Sequence, residues 1–208
     1  MASRRLFWPP AFSSPFPASQ ARILWSTAAS GGYSIYSGNS PLGGWHVFGN
    51  QILQIDTTYA EPGQGVFAFN AQDGSNSVDL TGAGNQGYFG VEQYLTTVAG
   101  QQYALKFYVG RADGTSGHYS TTSSLGVGGD TFEATSAAGL PGGINWAEYN
   151  YTFTATSTST LLAFGNLTTD NNFAGIDNVS VNAVPEPASM AALGFGALAL
   201  LRRRRSAK

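Results

Sequence analysis

From about Ile23 to Asn182 one texture repeats: short runs of alternating apolar and polar residues, separated by clusters of glycine, asparagine and aspartate. Alternation of period two sends successive side chains to opposite faces of a strand, and the clusters supply turn chemistry. Tyr103, Leu105, Phe107 and Val109 share one strand face, as do Ala147, Tyr149, Tyr151 and Phe153, while Lys106, Glu148 and Asn150 point the other way. Further strands are expected at Trp45–Phe48, Gln51–Ile55, Val66–Asn70, Ser77–Leu80, Phe89–Thr96, Leu161–Phe164 and Ile176–Val181. About nine short strands in roughly 160 residues predict an all-β fold, an antiparallel β-sandwich over residues 23–182. Charged residues make up only 11% of the chain against 27 glycines and 13% aromatics, which favours strands and turns over surface helices.

The segment Gly110 to Gly143 departs from this texture, with few bulky apolar residues beyond Tyr119, Leu125, Val127, Phe132 and Leu140. Two edge strands joined by long surface loops are expected there. Residues 1–22 carry Pro9, Pro10, Pro15 and Pro17 among aromatic residues, a spacing that blocks a continuous helix. Ser3-Arg4-Arg5-Leu6-Phe7 resembles a twin-arginine export motif, but the apolar stretch after it is interrupted, so 1–22 reads as a disordered leader or a misassigned start.

After Val181 the texture changes again. Residues 183–208 hold Val184, Pro185, Glu186 and Pro187, then the apolar run Ala188–Leu201, then Arg202, Arg203, Arg204 and Arg205. The prolines keep the backbone extended and remove donors, which suits a strand that a protease reads. The 14-residue apolar run spans about 21 Å as a helix against roughly 30 Å of hydrocarbon, a deficit that snorkelling arginines and local thinning make up. A short C-terminal transmembrane helix is therefore expected, with the arginine block as its cytoplasmic stop and the sandwich outside. That block holds four of the ten basic residues while the net charge is −2, so the rest of the chain is acidic and a nucleic-acid partner is excluded. The absence of cysteine excludes disulfides and thiolate zinc sites.

Val184 to Lys208 closely resembles the PEP-CTERM sorting signal of Gram-negative bacteria, with Pro185-Glu186-Pro187 as its namesake motif. The resemblance implies that the chain passes transiently through the inner membrane as a substrate of an exosortase, a membrane protease, and ends at the cell surface or in the extracellular matrix. The upstream region is similar, more loosely, to choice-of-anchor and galactose-binding-like domains, through Gly44-Trp45-His46-Val47, Ser77–Gly82, Val98–Phe107 and Gly175–Val181. That likeness implies a jelly-roll-like sandwich, polysaccharide as ligand, and a structural calcium near Asp177 on the last strand. The alternative at Asp177 is a hydrogen bond that closes the Asp177-Asn178 turn.

No catalytic set stands out. His46 and His118 lack a nucleophile motif to activate. Asp73, Asp113, Asp130 and Asp170 sit in turns, where aspartate caps local backbone, which leaves Glu92, Glu133 and Glu148 as candidates for a glycosidase pair. Sugar binding favours exposed aromatic rings, and Trp146, Tyr108 and Tyr119 are the candidates. Trp146 lies on the strand face opposite Tyr149 and Tyr151, so either it or they must face away from the core. The sequence thus predicts an exported, non-enzymatic surface or matrix protein without a catalytic cofactor. Its rivals are a carbohydrate-active hydrolase with a carboxylate pair and a purely structural matrix protein.

Overall fold

The computed structural model describes residues 32–59, 69–83, 88–112, 122–127, 129–135, 143–167 and 173–185. The expected leader, Tyr119, His118, Glu186, Pro187, the apolar run and Arg202 to Arg205 lie outside the described residues. Among the described residues twelve strands run in order as β1 (Tyr33–Ser37), β2 (Pro41–Leu42), β3 (Trp45–Phe48), β4 (Gln51–Asp56), β5 (Asn76–Asp79), β6 (Gly90–Thr96), β7 (Gln102–Ala112), β8 (Thr122–Val127), β9 (Asp130–Thr135), β10 (Ile144–Thr154), β11 (Ser159–Asn166) and β12 (Ala174–Ala183). They build two six-stranded sheets, ordered β1-β4-β5-β12-β7-β10 and β2-β3-β6-β11-β8-β9. Every pairing is antiparallel, and the fold is the expected all-β, jelly-roll-like sandwich.

Alternation decides what lies between the sheets. Tyr103, Leu105, Phe107 and Val109 of β7 are buried, together with Ile52, Val78, Ile176, Val179 and Val181 of the first sheet. Facing them are Trp45, Val47, Val91, Leu125, Leu162 and Phe164 of the second. The Phe107 ring links the layers, 5.1 Å from Phe164 and stacked 5.5 Å from Tyr149. Each such side chain contributes about 2–3 kcal/mol by leaving water. A buried amide in this layer, Gln54, is satisfied by the Tyr36 hydroxyl, which donates to Oε1 at 3.0 Å.

The structure departs from expectation in three places. β1 and β2 were not anticipated. Phe69 and Asn70, expected in a strand, are in irregular backbone, and 66–68 lie outside the described residues. The glycine-rich segment does hold two strands, but only β9 is at an edge, because β8 sits between β11 and β9.

Candidate functional site

The outer face of the first sheet brings together Trp146 and Tyr108, two of the three residues expected to meet a ligand. Because Phe107 and Val109 point inward, Lys106, Tyr108 and Gly110 of β7 point outward, and the β10 register sets Asn150 opposite Lys106, Glu148 opposite Tyr108 and Trp146 opposite Gly110. On the other side of β7, β12 sets Gly175 opposite Gly110 and Asp177 opposite Tyr108. Tyr149 and Tyr151 pack on the core, so Trp146 is the ring that faces away from it.

Trp146 is held firmly. A Cβ on Gly110 would lie 2.5 Å from its ring, so only glycine there lets the indole rest flat against the sheet. Its Nε1–H donates to the Asn70 carbonyl at 2.9 Å, and Asn70 Oδ1 accepts from the Ile144 N–H at 3.1 Å. Phe173 meets it edge-on at 6.3 Å. With Leu53, Ile55, Phe69 and Ile144 these rings form a small second core on the outer face of the sheet, covered in part by residues 69–73. Trp146 marks the border of that cover.

Beyond the border the sheet is open and polar. Glu148 accepts from Lys106 at 2.8 Å, from Asn150 Nδ2 at 2.8 Å, and from the Tyr108 hydroxyl. The bonds from Lys106, Tyr108 and Asn150 hold the Glu148 carboxyl down at about 2, and its partner Lys106 is shifted upward in return. These groups are exposed, so solvent screens the pair and its role is to fix side-chain positions rather than to stabilise the fold.

Asp177 is buried at the other edge of the cover. Its Oδ2 accepts from the Gln72 and Asp73 N–H groups at 2.8 and 3.1 Å, and Oδ1 accepts from the Asn178 N–H at 2.7 Å. Asn178 adopts a positive φ of 46° at the bulge in β12, and its amide donates to Gln72 Oε1 at 2.6 Å. Three N–H donors around one carboxylate suit the turn-closing role. A calcium ion there would take six or more oxygen ligands.

A second buried carboxylate, Asp79, accepts from the Thr81 N–H and hydroxyl at 2.9 and 2.7 Å and from the Ala174 N–H at 3.0 Å. Burial pushes its carboxyl up from 3.8 to about 6, against the pull of those three bonds. The folded state therefore binds more protons than the unfolded one between about pH 4 and 6, and the stability contributed by this group falls as pH rises through that window. Linkage bounds the effect at about 3 kcal/mol. Denaturation midpoints at pH 4.5 and 7.5 are expected to show wild type losing stability relative to Asp79→Asn at the higher pH; an equal difference at both would refute the shift.

The remaining candidates lie apart. His46 is exposed on β3 opposite Glu92, on the outer face of the second sheet. Val184 extends β12, its N–H donating to the Gln102 carbonyl at 2.8 Å while Gln101 Nε2 donates to its carbonyl at 2.7 Å. Pro185 follows, exposed.

A two-sheet sandwich whose last strand runs straight into a sorting motif defines an exported β-sandwich protein. The chain belongs to the family described as "Protein of unknown function (DUF642)", whose model matches residues 26–182. Residues 183–205 match the PEP-CTERM protein-sorting motif, so the chain is exported through the membrane to a surface or extracellular destination. Halomucin of Haloquadratum walsbyi is 31% identical over 162 residues, which cover 76% of this chain but only 2% of that protein. Among solved structures, the chain is similar to the CBM22-1 xylan-binding domain from Paenibacillus barcinonensis Xyn10C, at 17% identity and a TM-score of 0.43 over 76% of this chain and 99% of that one. A family 35 carbohydrate binding module from Clostridium thermocellum gives 16% identity and a TM-score of 0.41 over 72% and 96%.

Proposed function

We propose that this chain is a non-enzymatic cell-surface or matrix protein that binds polysaccharide on the outer face of its first sheet, after an exosortase has processed it at the Val184–Pro187 motif. The observation that carries the binding reading is Trp146, a ring fixed flat against Gly110 beside the open polar row of Tyr108, Glu148, Lys106 and Asn150. A flat ring covers the apolar face of a pyranose while neighbouring charges and amides bond its hydroxyls. Preorganised contacts lose little entropy on binding.

The hydrolase reading is less well supported. Glu148 is committed to three donors and held near 2, the wrong direction for a general acid. Asp79 and Asp177 are buried and bonded to backbone N–H groups.

Affinity electrophoresis of the full chain through soluble xylan, galactan, dextran and alginate tests the binding reading. Trp146→Ala is expected to weaken retardation about tenfold or more, as is the pair Lys106→Met with Glu148→Gln, which leaves the small second core intact. Retardation unchanged in both variants would remove this face as the binding surface. Intact mass from hosts with and without an exosortase tests the processing: loss of the segment beyond about Pro187 only where the enzyme is present is expected, and an intact tail in both hosts would make it an ordinary anchor.

A further inference from the structure

The outer face of the second sheet carries a separate aromatic arrangement. Val91 and Leu95 of β6 point into the core, so Gly90, Glu92 and Tyr94 point outward, as does Tyr88 just before the strand. Tyr88 is 56% exposed and Tyr94 68%, unusual for rings of this size in a folded domain. Tyr88 pairs with Phe48 of β3 at 5.3 Å. Two glycines make room for both rings: a Cβ on Gly90 would lie 2.5 Å from Phe48, and one on Gly165 would lie 2.5 Å from Tyr88. Gly90 and Gly165 are themselves cross-strand partners.

Between Tyr88 and Tyr94 the floor stays low. Ala163 of β11 stands opposite Glu92 on one side and Gly126 of β8 on the other, and a Cβ on Gly126 would meet nothing within 4 Å. Glu92 and His46, partners across β6 and β3, give the trough a polar edge. Its length from Gly90 to Tyr94 is about 13 Å and its width across three strands about 10 Å. That is on the order of 130 Å², far below the roughly 800 Å² per partner of a stable protein interface. The size, the two separated rings and the polar edge fit a short stretch of sugar chain and do not fit a second copy of this protein.

We propose that this trough is a second polysaccharide-binding surface, on the side of the sandwich opposite Trp146. The proposal rests on the reading of the chain as a polysaccharide binder and adds that it is bivalent, joining two glycan strands across one rigid domain. Tyr88 and Tyr94 take the apolar faces of the sugars, and Glu92 and His46 bond their hydroxyls. Two sites on opposite faces convert binding into cross-linking without any higher affinity at either site.

The test uses the full chain with the same four polysaccharides, reading retardation together with turbidity and viscosity of the mixture. Wild type is expected to be retarded and to raise viscosity. The double variant Tyr88→Ala with Tyr94→Ala removes exposed rings, and Gly126→Leu fills the floor where space is open, so neither should disturb folding. Both are expected to keep retardation through the first sheet while losing the viscosity rise at least tenfold. Undiminished viscosity in both would overturn the bivalent reading and leave the first-sheet site standing. Retardation lost in these variants and kept in Trp146→Ala would instead locate all binding here, overturning the first-sheet reading and bivalence but not this surface. A wild type retarded by none of the four, nor by matrix polysaccharide extracted from an exosortase-bearing bacterium, would overturn both.

Discussion

Asp177→Ala is expected to lower the unfolding free energy by about 4 kcal/mol and to open residues 69–73 to protease. The aspartate is the acceptor for three N–H groups, two of them from Gln72 and Asp73 in the segment that crosses the outer face of the first sheet. Hydrogen bonds to a charged acceptor contribute about 1.5–3 kcal/mol each, and donors left unpaired in a buried site cost a similar amount. Water can reach some of them after the cover loosens, which keeps the total below the full sum. Asp177→Asn retains one acceptor and should cost about half as much. Pulse proteolysis with denaturant unfolding separates the two effects, since a local opening shows as cleavage at 69–73 before the global transition. The same protein decides between the two roles expected for this residue. Two buried oxygens on β5, Asn76 Oδ1 and Ser77 Oγ, have no hydrogen-bond partner, and a hard cation would use such donors. If Asp177 closes the turn, added calcium leaves the melting temperature within about 1 °C; a saturable rise of several degrees, reversed by a chelator, would make it a metal ligand.

The elements that were legible share one property: their alternation coincides with burial on one face. β7 and β10 pair over eleven residues, and the inward set Tyr103, Leu105, Phe107, Val109 and Phe153 is buried as the pattern required. β1 was invisible because its pattern runs against burial. Tyr33 and Ile35 face out, 44% and 50% exposed, while Ser34 and Tyr36 face in. β2 is two residues long, although Gly43-Gly44, both at positive φ, form a two-residue hairpin with Trp45 opposite Leu42, and a Gly-Gly pair between apolar residues was a usable signal. Phe69 reads as strand by composition but caps the second small core instead.

The candidate site was legible only in part. That Trp146 and Tyr108 face away from their apolar neighbours follows from period two. That they meet Gly110 and Glu148 depends on the β7–β10 register, which no tight turn between the two strands fixes and the sequence does not display. The same applies to Tyr88 over Gly165, an encounter between residues 77 positions apart. Glycine inside a strand is the sequence trace such sites leave, because a ring can lie flat on a sheet only where a neighbour lacks a Cβ.

A chain ending at Pro185 is expected to melt with the full-length protein, whereas one ending at Asn178 is expected not to fold. β12 is an interior strand held between β5 and β7, and truncation at Asn178 removes Val179 and Val181 from the core, worth about 2–3 kcal/mol each. It also deletes the register from Ser180 to Ala183 against β7, together with the Val184 bonds to Gln102 and Gln101. The combined loss exceeds what a domain with about 5–15 kcal/mol of stability can absorb. The ladder ends at Val184 because its partner, Gln102, is the first residue of β7. The sorting motif thus begins inside the sandwich, with Ala183 in β12 and Val184 bonded to β7. A cut anywhere beyond Pro185 releases a complete domain, and a cut before Val181 releases an unfolded one. Thermal melting of the two truncated chains beside the full one checks this. A chain ending at Pro185 that melts tens of degrees lower would mean that the tail is part of the fold, and that processing changes the domain it delivers.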